Sequence, residues 1–391
     1  MTEQAADLSS GTDGPLAGLK ILEMAGLGPV PLAGLLLAEM GAEVVRVERL
    51  SESRGFMNVP ARYDLDRHGR KILRLDLKRS EGRALLLDMI GEADGLMEGF
   101  RPGVMERLQM GPEEALLRNP SLVYGRMTGF GQQGPLSKCA GHDLTYLAYS
   151  GALHTIGPRY GKPVPPLNLV ADSGGGTMFL IAGMLAALLE ASHSGKGQIV
   201  DVSMLDGVSF LLAPYYSFLA GGLWKDCRGS NLIDSGSPFY NTYETSDHRH
   251  VAVACLEPQF FSEFARLLPL DEPFASRQYD EALWPEMEKE IATRFLTRSR
   301  DEWAELFEAT DACVAPVLSL AEAPDHPHNR ARHSHPRQDG FLRPAPAPRF
   351  SRTPGVMSGA NADTSNASAT LARFGIDEER STRLRELGII G

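Results

Sequence analysis

Gly18–Glu48 reads GLKILEMAGLGPVPLAGLLLAEMGAEVVRVE. The apolar run around Leu19–Leu22 has the length of a buried strand and ends in the turn GLGP. PLAGLLLAEMG then reads as a helix, with Pro31 in its first turn, where a missing N–H does no harm, and Gly41 just past its end. The Val-rich AEVVRVE (Ala42–Glu48) is the next strand. Two strands joined through a helix pair in parallel, since an antiparallel pair is joined by a tight hairpin. The stretch therefore predicts an α/β fold built on a parallel sheet.

The alternation continues outward. ILRLDL (Ile72–Leu77) is a strand, SEGRALLLDMIGEA a helix with Ser80 as its cap, GLMEGF a strand, VMERLQMG a short helix and LVYGRMTGF (Leu122–Phe130) a strand. Such alternation implies right-handed crossovers. From about Gly236 the texture changes: FYNTYETSDHRHVAVACLE reads as a hairpin around SDHR, and helical segments follow it. The expected organisation is a mobile tail over residues 1–16 and a large Rossmann-like domain over 17–215. A smaller α+β domain over 216–330 and a return segment over 331–391, packing on the large domain, complete it. Residues 357–371, MSGANADTSNASATL, are low in complexity and read as poorly ordered, and GIDEERSTRLRELGII is a short terminal helix.

Composition excludes several classes. Hydrophobic residues make up 43% and charged residues 23%, which is ordinary globular usage. A net charge of −11 disfavours nucleic acid and anionic membrane surfaces, both of which select Lys and Arg. The longest apolar run, Thr177–Leu189, is 13 residues and falls short of a bilayer. The four cysteines are widely spaced with no CxxC, as expected of a reducing cytoplasm, and the N-terminus shows no signal-peptide pattern. In the first strand–helix turn Gly26 and Gly28 are followed by Pro31 where a dinucleotide fingerprint needs its third glycine, so a nicotinamide site is not expected.

Several constellations could carry chemistry, each with a plainer alternative. Between Arg46 and Arg79 lie ten basic and five acidic residues, a local inversion of sign that could grip phosphates or could be a solvated surface of chance pairs. His142 in GHDLTYLAYSG could be a general base or a structural histidine. Asp172 precedes Gly174–Gly176 and a long apolar helix. It could stand beside uncovered glycine N–H groups suited to an oxyanion, or could be a plain N-cap. Glu257 ends a strand of the smaller domain and could orient a histidine or be surface. HPHNRARHSHP holds four histidines (His326, His328, His333, His335), but their spacing matches no metal motif and the prolines argue for a loop.

The stretches EGFRPGVMERLQMGPE, RMTGFGQQGP, AGHDLTYLAYSGALHTIG, PPLNLVAD, RGSNLIDSGSPFYNTYET and VAVACLEPQFF, with the opening strand–helix–strand unit, are those of a known family. On them the chain resembles the racemase branch of the family III CoA-transferases, from about Pro15 to Arg352. The resemblance implies a Rossmann-like large domain, a small domain and an interlocked homodimer. In that dimer the active site lies where the large domain of one chain meets the small domain of the other. It implies that His142 and Asp172 are the two acid/base groups and that Glu257 contacts the histidine and sets its basicity. Arg49, Leu75, Asp76, Leu77, Lys78, Arg101, Gly141, Asp143, Leu144, Thr145 and Tyr146 match segments lining the CoA and acyl sites. The implied reaction interconverts the epimers of a 2-methylacyl-CoA through an enolate, held by backbone N–H groups near Asp172 or Asp143. CoA is then part of the substrate, with no separate cofactor and no metal.

Two departures stand out. Ser173 replaces the Phe usual in this branch, and LSESRGFMNVPARYDLDRHGRKILR, of variable length in the family, leaves Arg70 and Lys71 without a matched phosphate role. The transferase branch also carries an Asp near Asp172 as its nucleophile, so CoA transfer is the competing activity, and a non-catalytic CoA-binding protein the third reading. Met178, Met184 and Met204 could wall an acyl pocket or be core.

Overall fold

The computed structural model describes residues 14–51, 59–359 and 367–391. It divides into two units: one holds the described residues up to Ser150, Leu167–Leu211 and those from His333 onward, the other Gly151–Pro166 and Leu212–Arg332. Gly151–Pro166, expected in the large domain, cluster with the second unit.

The first unit is built on β1 (Lys20–Met24), β2 (Glu43–Glu48), β3 (Arg70–Arg74), β4 (Gly95–Glu98), β5 (Val123–Thr128) and β6 (Gln198–Ser203). They form one sheet in the order β3-β2-β1-β4-β5-β6, and every pair in it is parallel. The chain runs outward from β1 to β3, then resumes on the other side of β1 with β4. The carboxyl ends of β1 and β4 thus flank a switch point, where open α/β sheets bind ligands. Every residue of β4 and β5 is buried, as central parallel strands covered on both faces require. β3 begins at Arg70 rather than Ile72 because Arg70 is buried and its charge is met by Glu23, which a reading by polarity misses.

Helix α1 (Pro29–Glu39) and helix α2 (Ser80–Gly91) follow β1 and β3. Ser80 is the first residue of α2 and not its cap, and its hydroxyl donates to Glu81. Helix α3 (Asp143–Ser150) follows the long loop after β5. Helix α4 (Phe179–Ser194) is entered through a π-type segment, Leu169–Met178, and together they make 26 helical residues. By length and composition this helix is long and apolar enough to cross a membrane, a test that the core helix of a soluble protein passes as well. Leu180, Ile181, Met184 and Ala187 are buried on it. A methyl group added at Gly125 would lie 2.7 Å from Met184 Sδ, so Met184 is core against the sheet and not a pocket wall. Helix α5 (Met204–Leu211) closes this part of the unit.

The C-terminal residues complete the core. Residues 360–366 of the low-complexity stretch lie outside the described residues, but Ala367–Ala372 is a helix whose Leu371 is fully buried beside Leu22, Leu85 and Phe374. Ala367, Thr370, Leu371 and Phe374 recur at helical spacing and form its buried face, which the surrounding Ser and Asn conceal. Of the expected N-terminal tail, residues 1–13 lie outside the described residues, while the Leu16 N–H donates to the Met40 carbonyl at 2.9 Å.

The second unit pairs β7 (Tyr240–Glu244) and β8 (His250–Ala254) as an antiparallel hairpin, with β9 (Val314–Pro316) on the other side of β8. Helices α6 (Pro258–Leu267), α7 (Trp284–Phe295) and α8 (Arg300–Phe307) cover it around an aromatic core of Phe239, Tyr243, Phe261, Phe264, Phe295, Trp303 and Phe307. A reciprocal Ser299–Glu302 cap starts α8.

Candidate active site

The loops leaving β1, β4 and β5 sit at the switch point of the first unit's sheet. The β1–α1 turn passes through Gly28, whose φ of 78° only glycine adopts without strain. A Cβ built on Gly28 would lie 3.8 Å from Asp172 Oδ2, so this turn borders that carboxylate directly. The loop after β5 leads to His142 and then to Asp143, the first residue of α3.

Asp143 joins the two chemically promising segments. Its buried carboxylate accepts, through Oδ2, the N–H groups of both Ala171 and Asp172 at 2.8 Å. Its Oδ1 is buried with no hydrogen-bond partner among the described residues. The main chain of His142 is fixed by Thr145: the His142 N–H donates to Thr145 Oγ1 at 3.0 Å, and Thr145 Oγ1 donates to the His142 carbonyl at 2.7 Å. The residue itself is exposed. Asp172 is half-buried, and burial raises its carboxyl pKa above the ordinary value. The neighbouring Asp143 charge adds to the rise, while a hydrogen bond from Asn168 and the charge of protonated His142 oppose it. His142, Asp143 and Asp172 therefore share one electrostatic neighbourhood.

Two expectations about Asp172 are corrected. It is not an N-cap, because the helix begins at Leu169 and the Ser173 N–H reaches five residues back to the Asn168 carbonyl at 3.2 Å. Nor do the glycines leave donors open, since Gly175 and Gly176 are buried by close packing. A Cβ on Gly207 of α5 would lie 2.0 Å from the Gly175 carbonyl oxygen, so the two backbones touch there. The Asp172 N–H is itself taken by Asp143. Asp143 is the first residue of α3, where the opening N–H groups of a helix have no partner within it.

Tyr146 closes one side. Gly129 and Gly141 press on its ring: a Cβ on either would lie 2.2 Å and 2.5 Å from Tyr146 Cε1, respectively. Phe130 meets it edge-on at 5.0 Å. Burial, then the charges of Asp172 and Asp143, push the Tyr146 hydroxyl up to about 12, with Arg101 opposing. Arg101, which follows β4 and is exposed, thus belongs to the same neighbourhood, as do the exposed Leu144 and Thr145 and half-buried Gly141.

The remaining candidates separate. Arg49 and Lys78 are exposed. Leu75 lies in the core and Leu77 packs against it, so of this segment only Asp76 and Lys78 present polar side chains outward, Asp76 Oδ1 accepting the Lys78 N–H at 3.0 Å. The basic stretch is largely paired internally. Arg46 and Arg70 meet the fully buried Glu23, Arg67 and Arg74 meet Glu48, Lys71 meets Glu43 at 2.6 Å and Arg79 meets Glu81 at 2.9 Å. Arg54 lies outside the described residues and Arg49 and Lys78 stay exposed, but the buried Arg70 has no reach to a ligand. Among the described residues, no group of three or more His, Cys, Asp or Glu side chains could hold a metal ion, the histidine-rich stretch included. Glu257 lies in the second unit, exposed, at the start of α6. Sequence reasoning did not single out Asn168, whose signal is its place one turn before Asp172, and it read Gly28 only as part of a tight strand–helix turn.

The family model for CoA-transferase family III matches residues 16–364. The protein named alpha-methylacyl-CoA racemase from Mus musculus is 45% identical over 379 residues, covering 96% of this chain and 97% of that protein. Its namesake from Homo sapiens is 40% identical over 346 residues, covering 88% of each. Among solved structures, a CAIB/BAIF family protein from Brucella suis superposes with a TM-score of 0.79 at 25% identity, covering 92% of this chain and 99% of that one.

Proposed function

Because this chain belongs to CoA-transferase family III and is similar over most of its length to racemases within it, we propose that it is an isomerase interconverting the epimers of 2-methylacyl-CoA thioesters. The observation that carries this reading is the coupling of an exposed imidazole to a carboxyl whose pKa is raised, through Asp143, which follows His142 and binds the Asp172 amide.

Inversion at the α-carbon needs a base on one face and an acid on the other. Neutral His142 removes the α-proton from one epimer, and the electron pair moves onto the thioester oxygen. Protonated Asp172 then delivers its proton to the opposite face, and the pair returns to carbon. In the reverse direction the roles exchange. A raised pKa supports Asp172 in the acid role, because it keeps a larger fraction of the carboxyl protonated near neutrality. The Asp143 N–H, at the positive end of α3, is the donor suited to the enolate oxygen. The scheme uses only groups of the chain, with CoA carried as part of the substrate and neither a separate cofactor nor a metal taking part. Arg101 and Tyr146 flank the acyl side, and Arg49, Asp76 and Lys78 stand with the CoA segment.

The transferase alternative is weaker: it uses Asp172 as the nucleophile and needs no second proton carrier, which leaves His142 without a role. The working form is a homodimer in which the partner's Glu257 orients His142. Its support, besides the family, is the helix Ala213–Ala220, APYYSFLA, which has no buried residue, and the exposure of nearby Phe210 and Leu223 at 69% and 78%. A reducing compartment such as the cytoplasm suits its four free thiols.

The test is incubation of one epimer of a 2-methylacyl-CoA in D₂O without any acceptor acid. Deuterium at the α-carbon and drift to an equal mixture of epimers are expected. Strict dependence on a second carboxylic acid would overturn the reading.

A further inference from the structure

Glu257 is separated from β8 by two residues, Cys255 and Leu256, and from the body of α6 by none. Its side chain is exposed, so its position is set by the backbone that carries it. That backbone is pinned from one direction. Gln278 Nε2 donates to the Leu256 carbonyl at 2.9 Å and to the Cys255 carbonyl at 3.1 Å. The Tyr279 hydroxyl donates to the same Leu256 carbonyl at 2.5 Å.

The clamp is itself held. Trp284 Nε1 donates to the Gln278 carbonyl at 2.9 Å, and the Tyr279 ring meets Phe239 edge-on at 5.8 Å. Gln278 is only 6% exposed, and its Oε1 is buried with no partner among the described residues. Turning the amide over would set Oε1 against two carbonyl oxygens, so the orientation is fixed by its acceptors. An unsatisfied buried oxygen disfavours the folded state.

We infer that Gln278 and Tyr279 are positioning residues for Glu257, holding the Cys255–Leu256 carbonyls so that the carboxylate meets the histidine of the second copy in the proper place. This rests on the role given to Glu257 above. Neither residue touches the reacting carbon. Their effect passes through Glu257 to His142, and therefore to one face of the substrate only.

The experiment uses the full-length dimer, with Gln278→Met, Tyr279→Phe, Glu257→Gln and the double variant Gln278→Met/Glu257→Gln. Racemisation gives kcat and KM, and deuterium uptake from D₂O is followed separately for each epimer. Gln278→Met is expected to lower kcat about 10-fold, with KM held within about 2-fold. It should slow exchange mainly in the epimer whose proton His142 removes, and add nothing on top of Glu257→Gln. Tyr279→Phe keeps the ring and should show a smaller loss of the same asymmetry, which preserves the test if Gln278→Met fails to fold. Equal slowing of both epimers, or a loss that adds to that of Glu257→Gln, overturns the clamp. A normal Glu257→Gln enzyme would instead remove the role of Glu257 itself, and the clamp with it.

Discussion

Asp143 holds Asp172 by its main chain: Oδ2 of the first lies 2.8 Å from the amide nitrogen of the second. The same oxygen takes the Ala171 N–H, so the carboxylate stitches the start of α3 to the π-type entry of α4 across 28 residues of chain. One contact thus places the side chain of Asp172 relative to the neighbouring His142, and its charge adds to the burial that favours the protonated acid.

Removing either proposed proton carrier should separate exchange from inversion. His142→Ala and Asp172→Asn are each expected to lower racemisation by at least ~10²-fold. Each should still exchange the α-proton of the one epimer served by the remaining group. Proton NMR of each epimer in D₂O reads this directly; loss of exchange in both epimers with both variants would contradict a two-base mechanism.

Neutralising Asp143 should act on Asp172. In Asp143→Asn the amide oxygen can still accept the two N–H groups, but the negative charge that helps raise the Asp172 pKa is gone. The Asp172 pKa should fall, and the rate limb that requires its protonated form should move to lower pH. A pH–rate profile checks this, and an unmoved limb would assign the raised pKa to burial alone.

Asp172 should be a stability liability above its folded pKa. Its folded pKa lies above the ordinary 3.8, so below 3.8 both folded and unfolded states are protonated and no difference arises. As pH rises through the folded value, ionisation in the fold becomes unfavourable and stability is lost. Asp172→Asn is therefore expected to stabilise the fold at neutral pH, and much less at pH 3.5. Urea melts at the two pH values measure it.

Gly28→Ala should damage the site through the backbone. At φ of 78° a side chain is strained, by about 1–3 kcal/mol. The new methyl would also sit 3.8 Å from Asp172 Oδ2. Denaturant melts should report the strain, and kcat should fall more than KM rises.

Arg70 separates a structural from a ligand role. Arg70→Met would leave the fully buried Glu23 with Arg46 alone and is expected to cost about 3 kcal/mol or more. KM for the CoA thioester should not change in the folded fraction. A raised KM at normal stability would return Arg70 to phosphate binding.

Some of this was legible from local pattern. A parallel strand buried on both faces must be a short continuous apolar run, and a crossover helix must separate it from the next. KILEM, the Val-rich β2 and GLME therefore announce the α/β architecture without knowledge of any contact. His142 and Asp172 were legible as candidates only, because few side chains move protons near neutral pH.

What the amino-acid order determined by itself is the set of elements, their alternation and the chemical inventory near the strand ends. Only the tertiary structure decided who meets whom. The surplus of arginine between β2 and β3 looked like a ligand grip, yet parallel register brings Glu43 and Glu48 beside β3 and buries Glu23 among Arg46 and Arg70. Gly174–Gly176 looked like open donors, yet α5 lies against them. Asp143 looked like no more than the neighbour of His142, yet it holds the amide of Asp172. The physical reason is common to all three. Propensity and polarity act between residues close in the chain, whereas charge neutralisation, close backbone packing and long-range hydrogen bonds depend on distances that exist only once the sheet has assembled.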